Sequence, residues 1–393
     1  MLRSPRVFLA LMLLPLCLWT LRSHSWANSE IASEATASLL LELLKARKYG
    51  EIDTRFMAVQ HAYERDATKA EELLAFARWA YQTDPALEPF FTEWMVQQPK
   101  SYAATLARGS YYRTIGNRVR GGEYINNTSE QQLEGMTLYM QRALADLHTS
   151  LKLTPKPILS YLNMIDVGQK FGVAKTNREL LEEALRLDPH DFIVRRKYLY
   201  TLRPQWGGSF AQMEAFVTES KTTGLPAAKL KTLAAIIPYE RALAKHREED
   251  YPGALQYYIQ ALEAEDGSDE KFLILQGKAT IHENLKQYAQ AVETCTLALQ
   301  QNPNLLWALK RRGFNYAQLD QQEKAFKDYH AAAVMGDGWA LNKVGTMYWF
   351  GRGVPQDQTE ALRWFELGAS KGDIDARHNM VYARRLQKKA TAK

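Results

Sequence analysis

The chain of 393 residues is poor in cysteine, with only Cys17 and Cys295. Cys17 lies in an N-terminal segment that we expect to be removed, so Cys295 would stand alone. A single thiol forms no internal disulfide and excludes any metal site that needs two thiolates. Alternation of Val, Ile and Thr, the mark of strands, is nearly absent as well, whereas the helix formers Ala, Leu, Glu, Lys, Arg and Gln dominate. The sequence therefore predicts an all-α fold that is held together by packing.

Excess charge is also lacking once the N-terminus is set aside. The whole chain carries a net charge of +6, but residues 1–27 hold three arginines and no acid, which leaves 47 basic against 44 acidic residues, or +3. A body so close to neutral speaks against nucleic acid as a partner. The length of 393 residues exceeds one ordinary core, so two or more domains or one extended solenoid are expected.

The N-terminus has the pattern of an export signal. Arg3 and Arg6 precede an apolar stretch over residues 7–21, and small residues at Ser25 and Ala27 suit a signal peptidase. This stretch is shorter than the roughly 18–20 residues that span a bilayer, so a cleaved signal over residues 1–27 is favoured over an uncleaved anchor. Both outcomes predict a periplasmic body, anchored to the inner membrane through residues 7–21 only if the signal is uncleaved.

A period of about 34 residues, which is typical of stacked helix–turn–helix units, runs through the C-terminal half. Three triplets of mostly small residues have the spacing i, i+4, i+7, which places each triplet on one helical face. They are Ala254, Tyr258 and Ala261; Ala291, Cys295 and Ala298; and Ala325, Tyr329 and Ala332. The second and third triplets stand one full period apart, so each is predicted to mark the second helix of a repeat unit.

A second landmark occurs in both halves of the chain. A proline is followed ten residues later by a glycine and thirteen residues later by a tyrosine in two places: Pro99, Gly109 and Tyr112, and Pro303, Gly313 and Tyr316. A helix-ending motif, Leu-x-Leu-x-Pro, ends at Pro155 and recurs one 34-residue period later, ending at Pro189. The repeat is therefore expected to extend into the N-terminal half.

These residues carry a resemblance to two known repeat families. Residues 235–339 resemble tetratricopeptide repeats, in three units over 235–268, 272–305 and 306–339. Residues 340–376 resemble the SEL-one-like repeat, whose turn between two helices is here Gly351-Arg352-Gly353-Val354-Pro355. Its glycines supply backbone freedom. The resemblance implies an α-solenoid of helix–turn–helix repeats.

The region before these repeats resembles a bacterial family of unknown function, numbered four-zero-three-four, over roughly residues 36–235. Its landmarks here are the segments 106–112, 118–122 and 202–209. The resemblance implies degenerate helical repeats and no particular activity. Residues 377–393, rich in Lys and Arg, are predicted to form a basic C-terminal tail.

No catalytic signature emerges from residue spacing, so we predict no catalytic, cofactor-binding or metal site. His282 lacks the second histidine of a zinc-protease helix and is predicted to be a surface or capping residue. Residues 116–122 are predicted to be an interhelix loop, with an anion-contacting loop as the weaker alternative. Cys295, at a triplet position, is predicted to be buried and unreactive.

Trp206 begins the motif Trp-Gly-Gly-Ser. Its two glycines permit an unusual turn, and Ser209 is placed to cap the next helix. Trp206 either plugs a gap between helices, which we favour, or lines a pocket. The second option supports an alternative function, a small-molecule-binding or enzymatic helical domain with a pocket near Trp206 in residues 36–235.

Partner-binding candidates follow from the resemblance, because tetratricopeptide repeats place the second, fifth, ninth and twelfth residues of each first helix on a concave surface. In the unit 306–339 these positions include Trp307, Lys310 and Phe314; in a unit counted from Phe192 they include Ile193, Arg196, Tyr200 and Arg203. Arginine and aromatic side chains suit acidic or C-terminal peptide ligands. Phe314 stands where the carboxylate-binding form of the repeat needs asparagine, which argues against that ligand class.

The sequence thus favours a non-catalytic protein-binding scaffold of the bacterial cell envelope that presents a concave helical groove to a peptide or protein partner. No cofactor and no nucleic acid are expected. For each candidate residue, ordinary packing or a solvated surface remains the alternative to partner binding.

Overall fold

The structure is a computed structural model that describes residues 27–121, 128–171, 176–264 and 270–391. Within these ranges the chain forms nineteen α-helices and no β-strand. The helices are α1 (Ala27–Lys45), α2 (Tyr49–Arg65), α3 (Ala70–Ala77), α4 (Glu88–Gln97), α5 (Tyr102–Arg120), α6 (Glu130–Ser150), α7 (Ile158–Phe171), α8 (Asn177–Leu187), α9 (Phe192–Thr201), α10 (Phe210–Thr222), α11 (Ala227–Arg247), α12 (Tyr251–Ala264), α13 (Glu270–Asn284), α14 (Tyr288–Gln301), α15 (Leu306–Gln318), α16 (Gln322–Val334), α17 (Gly338–Phe350), α18 (Gln358–Ser370) and α19 (Ile374–Thr391). The predicted all-α fold of helical repeats is confirmed.

Short polar side chains begin several of these helices. Ser101 at the start of α5 and Asp337 at the start of α17 each accept a hydrogen bond from a backbone N–H three residues on, at 2.9 and 2.8 Å. Ser209 caps α10 in the same way at 3.2 Å, as predicted. Each cap satisfies an otherwise unpaired N–H and stabilises its helix by about 1 kcal/mol.

The described chain divides into two compact units, and the division falls between Leu233 and Ala234 within α11. In the second unit, consecutive helices from α12 to α19 pack against each other in turn. In the first unit, α5 packs along α6, and α7, α8 and α9 follow in the same manner. Each unit is therefore built from neighbouring antiparallel helices, as the repeat period predicts.

The alanine triplets of the second unit lie where helices meet. All six alanines of the three triplets are fully buried, as are Tyr258 and Cys295, and Tyr329 is nearly so. Burial raises the pKa of the Cys295 thiol to about 12, so the thiolate that would react is scarce at neutral pH. The predicted register of the repeat unit is confirmed in α12, α14 and α16.

Glycine allows the closest approach between the two helices of a repeat. A Cβ on Gly313 of α15 would lie 2.8 Å from the ring of Tyr329 on α16, and one on Gly345 of α17 would lie 2.7 Å from the ring of Phe365 on α18. Any side chain at these positions would force the two helices apart. The glycine of the sequence landmark therefore marks the contact inside a repeat.

The same contact recurs in the first unit. A Cβ on Gly109 of α5 would lie 3.1 Å from Leu147 on α6. The landmark shared by Gly109 and Gly313 thus predicts equivalent positions in two helical hairpins, α5/α6 and α15/α16. An aromatic core that includes Trp79, Phe91 and Tyr111 then fills the space beside α5.

Two sequence-based predictions about this scaffold are wrong. Residues 116–120 belong to α5, and the connection begins only at Gly121. Gly116 serves the packing of this helix on α6, since a Cβ there would lie 3.1 Å from Met140. His282, predicted to be a surface or capping residue, is buried, and its side chain bonds to another side chain rather than to a backbone group of a helix end. Its Nδ1 lies 2.8 Å from Gln287 Oε1, which ties the end of α13 to the start of α14, and burial lowers its pKa.

The two ends of the chain were predicted to be a signal and a basic tail. The predicted signal over residues 1–27 lies outside the described residues except for Ala27. The segment predicted as a basic tail is helical as far as Thr391, since it continues α19, and Ala383 is buried there. None of the helices in the described ranges is long and apolar enough to cross a membrane.

Candidate functional site

Three predicted binding residues lie together on α15. Trp307, Lys310 and Phe314 follow one side of this helix, and the Phe314 side chain is 40% exposed. Trp307 is half-buried because part of its ring packs on the hydrophobic core of the unit. The side of α15 that carries these residues is therefore apolar and still accessible.

The next first helix, α17, adds an aromatic ring flanked by two cations. Lys310 Nζ and Lys343 Nζ each lie 5.0 Å from the centre of the Trp339 ring, and Lys310 also donates to Asp337 Oδ2 at 2.9 Å. Such ammonium contacts with an indole stabilise by about 0.5–1 kcal/mol at exposed sites and hold the ring in place. We call Trp307, Lys310, Phe314, Trp339 and Lys343 the α15–α17 face.

Sequence reasoning missed Trp339 and Lys343. The spacing of the two glycines that contact second helices, Gly313 and Gly345, could have revealed them. This spacing is slightly shorter than the period of the preceding units. The same offset, applied to Trp307, gives Trp339 as the equivalent residue of α17. Both tryptophans pack against the same hydrophobic core, as the equivalence requires.

A polar contact fixes α15 on its neighbour α13. Glu283 near the end of α13 accepts hydrogen bonds from Arg311 and, at 2.8 Å, from Asn315 Nδ2. Asn315 is buried, so its bond to a carboxylate lies in a low-dielectric setting and resists exchange with water. The side of α15 next to the α15–α17 face is therefore rigidly held.

The predicted stripe of the first unit is engaged within the unit itself. Arg196 forms an ion pair with Glu71 at 3.0 Å, and its guanidinium lies 5.5 Å from the Phe192 ring. Ile193, predicted on the same exposed stripe, is buried. The first unit thus already supplies partners to the arginine that was expected to face a ligand.

The expectation that Arg203 shares a helical face with Arg196 and Tyr200 is wrong. Helix α9 ends at Thr201, and Arg203 has the extended backbone (φ −64°, ψ 145°) that the following Pro204 favours. Its guanidinium instead stacks on the Tyr200 ring at 4.8 Å and its Nε donates to the Tyr200 carbonyl at 3.0 Å.

A buried charge network beside this stripe was not predicted. Arg113 of α5 donates to Asn163 at 2.8 Å and pairs with Asp166 of α7 at 3.1 Å, and Lys197 of α9 pairs with the same carboxylate. The Arg113 guanidinium also lies 4.8 Å from the Tyr81 ring. These contacts join the alternate helices α5, α7 and α9, so their first role is to hold the first unit together.

Trp206 was predicted to plug a gap between helices, with a pocket as the alternative. Trp206 is 41% exposed in a 3-10 turn, so it does not plug a gap between helices, and the favoured prediction is wrong. A cavity elsewhere in the first unit, beside Tyr63 and Asp191, has a volume of about 10 Å³ and has room for no more than one water molecule. Tyr63 donates to Asp191 there at 2.7 Å, and burial raises the pKa of both groups.

Within the described residues, no three His, Cys, Asp or Glu side chains are grouped so that they could hold a metal ion. The α15–α17 face carries groups that are suited to binding a ligand. Exposed rings provide contact area at little cost in side-chain entropy, and Lys343, which makes no ion pair with the described residues, provides a cation.

Comparison with protein families identifies two segments of the chain. Residues 340–373 match the Sel1 repeat, and residues 36–184 match a domain of unknown function (DUF4034). The resemblances to the Sel1 repeat and to the family of unknown function are thereby confirmed, the latter as far as residue 184 and not to the predicted residue 235. Helices α17 and α18 are the two helices of the Sel1 repeat. Repeat proteins of this fold are typically scaffolds for protein–protein interaction and are generally non-enzymatic.

Individual proteins match over shorter ranges or more distantly. The photosystem I assembly protein Ycf3 of Synechococcus sp. (strain CC9605) is 33% identical over 82 residues, which are 21% of this chain and 47% of that protein. The chain therefore spans about half the length of the curated relatives it matches. Among solved structures, yeast Tom70 is 13% identical with a TM-score of 0.40, covering 91% of this chain and 89% of that chain. The antigen c5321 of uropathogenic Escherichia coli, which displays an SLR fold, is 14% identical with a TM-score of 0.37, covering 89% and 90%.

Proposed function

We propose that this chain is a non-catalytic protein-binding scaffold of the bacterial cell envelope, and that the α15–α17 face lines the groove that takes its partner. The supporting observation is the exposure of Phe314 next to two lysines and two tryptophans on adjacent first helices. A row of rings and ammonium groups recognises an extended segment that carries acidic and apolar side chains.

Two contacts support a groove on the side of the first helices. Helix α13 contacts α15, and α17 contacts α19, in each case across the second helix that intervenes in sequence. In a curved stack, elements that touch across an intervening helix lie on the inner side of the curve, because the outer side is longer. The α15–α17 face belongs to helices of this inner row.

The binding proposal is tested by capture of partners from bacterial envelope extracts. The double variant Phe314→Ala/Lys343→Ala should lose the captured partner, because it removes the most exposed ring and the cation without a carboxylate partner. Val334→Ala is the matched control, since Val334 on the second helix α16 is an exposed apolar residue away from this face. Capture that survives the double change, or that is lost equally in the control, contradicts the proposal.

The envelope location rests on Arg3, Arg6 and the apolar stretch over residues 7–21. An alkaline phosphatase fused after residue 40 should be active, because this enzyme folds only where disulfides form. An inactive fusion, with the full-length chain in the cytoplasmic fraction, would remove the envelope from the proposal and leave the binding function standing.

A further inference from the structure

Helix α19 occupies the position of one more first helix after the Sel1 repeat. Ala376 and Ala383 of α19 are buried and Met380 is partly buried. Ala383 and Met380 pack beside Phe365 of α18, and Ala376 lies beside Gly368 of α18. One constant offset in sequence pairs Ala376 with Ala340, Met380 with Val344 and Ala383 with Met347. These three residues of α17 are buried against the preceding helices. Helix α19 therefore packs on α18 as α17 packs on α16.

The opposite side of α19 corresponds to the side on which α17 receives its second helix. In α17 that side presents Gly345 and Trp349 to Phe365 of α18, with ring centres of Trp349 and Phe365 6.4 Å apart. The equivalent residues of α19 are Val381 and Arg385, and both are exposed. No helix in the described part of the chain covers this side, and Val381 is 59% exposed.

The uncovered side of α19 is a narrow stripe in which two apolar residues alternate with two arginines. Ile374 and Val381, seven residues apart, lie on one line of the helix, and Arg377 and Arg385 flank Val381 four residues before and after. Neither guanidinium forms an ion pair with the described residues. A helix that packs on this side is therefore complementary in charge if it carries carboxylates.

We propose that this side of α19 binds an acidic amphipathic helix of a partner protein, which packs on α19 as α18 packs on α17. Two carboxylates on the partner helix, about two turns or 12 Å apart, would meet Arg377 and Arg385. A small apolar residue between them would lie on Val381, since valine here replaces the glycine that admits a large ring in α17. This surface is separate from the α15–α17 face, and the inference does not depend on the function proposed above.

Charge argues against the two other occupants of such a surface. A second copy of α19 would bring Arg377 and Arg385 against their own counterparts, and within 374–391 the sole acid is Asp375. Like charges in contact disfavour that dimer. A membrane-bound helix keeps its cations on the face opposite the apolar side chains, whereas α19 places two arginines within the apolar stripe.

The test uses the full chain and a synthetic alanine-rich helix with two glutamates eight positions apart, followed by fluorescence anisotropy at low salt. Arg377→Ala/Arg385→Ala should weaken binding about tenfold or more, because both charge-assisted contacts are removed. Arg363→Ala is the control, since Arg363 is an exposed arginine of α18 outside the stripe. A peptide with lysines in place of the glutamates should not bind.

Four results would overturn the proposal. They are no binding of the acidic helix up to millimolar concentration, equal binding by the double variant, binding of phosphatidylglycerol vesicles that the acidic peptide does not displace, and dimers in sedimentation that Val381→Asp dissociates. The circular dichroism melting curve of the double variant should match that of the parent, which separates lost binding from lost folding.

Discussion

The hairpins α5/α6 and α15/α16 share an internal design although they lie in different units. Arg108 Nε and Nη2 donate to both oxygens of Asp146 at 2.8 Å, and Arg312 makes the same two bonds to Asp328, also at 2.8 Å. In each hairpin the arginine directly precedes the glycine that meets the second helix. These aspartates raise the pKa of both arginines. The contacts between the two helices of a repeat are therefore the same in the first unit, although its sequence resembles the tetratricopeptide repeat less than the second unit does.

The sides of the two first helices that point away from their own hairpins differ. Residues Trp307, Lys310 and Phe314 of α15 are partly accessible, whereas their counterparts in α5, which are Ala103, Leu106 and Ser110, are buried. Helices α2 and α7 contact α5, and Phe56 of α2 packs edge-on against Tyr102. The first unit thus fills with its own side chains the space that the second unit leaves open.

The largest effect is expected from breaking the shared ion pair. Asp146→Ala and Asp328→Ala should each lower the free energy of unfolding by about 3–5 kcal/mol, because each leaves a largely buried guanidinium without its carboxylate. Both carboxylates are 8% exposed, so the two losses should be nearly equal. Hydrogen exchange, which resolves the two units, measures each loss. A loss confined to one hairpin would show that the two designs are not equivalent.

Overpacking the contact between the two helices should give the next largest effect. Ala143→Trp in α6 and Ala325→Trp in α16 should each cost about 1–3 kcal/mol, since both alanines are fully buried at equivalent positions. Ala145→Trp and Ala331→Trp are the controls, because these alanines are exposed on the same two helices. Melting curves that do not separate the buried from the exposed changes would contradict the register described here.

Acid should destabilise the second unit. Burial lowers the pKa of His246 and of His282 below the usual value near 6.5, so both resist protonation when folded and accept it readily when unfolded. Their contribution to stability is present above that usual value and is lost as the pH falls from there through the lowered pKa of the folded state. Urea unfolding at pH 7.5 and pH 5.5 should show a drop that His282→Gln reduces. An undiminished drop in the variant would assign it to other groups.

The sequence predicts the inside of the repeats better than their surroundings. The alanine triplets and the shared Pro, Gly and Tyr spacing locate the buried contacts, because these depend on one helix pair at a time. Arg203 was misplaced although Pro204 was visible, since the helix pattern was extended past a residue that proline holds in an extended conformation. The network around Asp166 joins α5, α7 and α9, so only tertiary structure reveals it.

The smallest expected effect on stability comes from exchanging the residues at two equivalent positions, Ser110 of α5 and Phe314 of α15. Phe314→Ser should lower stability less than the loss of a fully buried ring would, because this side chain is 40% exposed, yet it should weaken partner capture. Ser110→Phe should cost about 1–3 kcal/mol and create no new binding, because its site on α5 is already filled. Thermal unfolding and capture, measured on both variants, decide the matter. If Phe314→Ser instead costs as much as Ser110→Phe, then Phe314 belongs to the packing of the second unit, and these sides of α5 and α15 differ in composition but not in role.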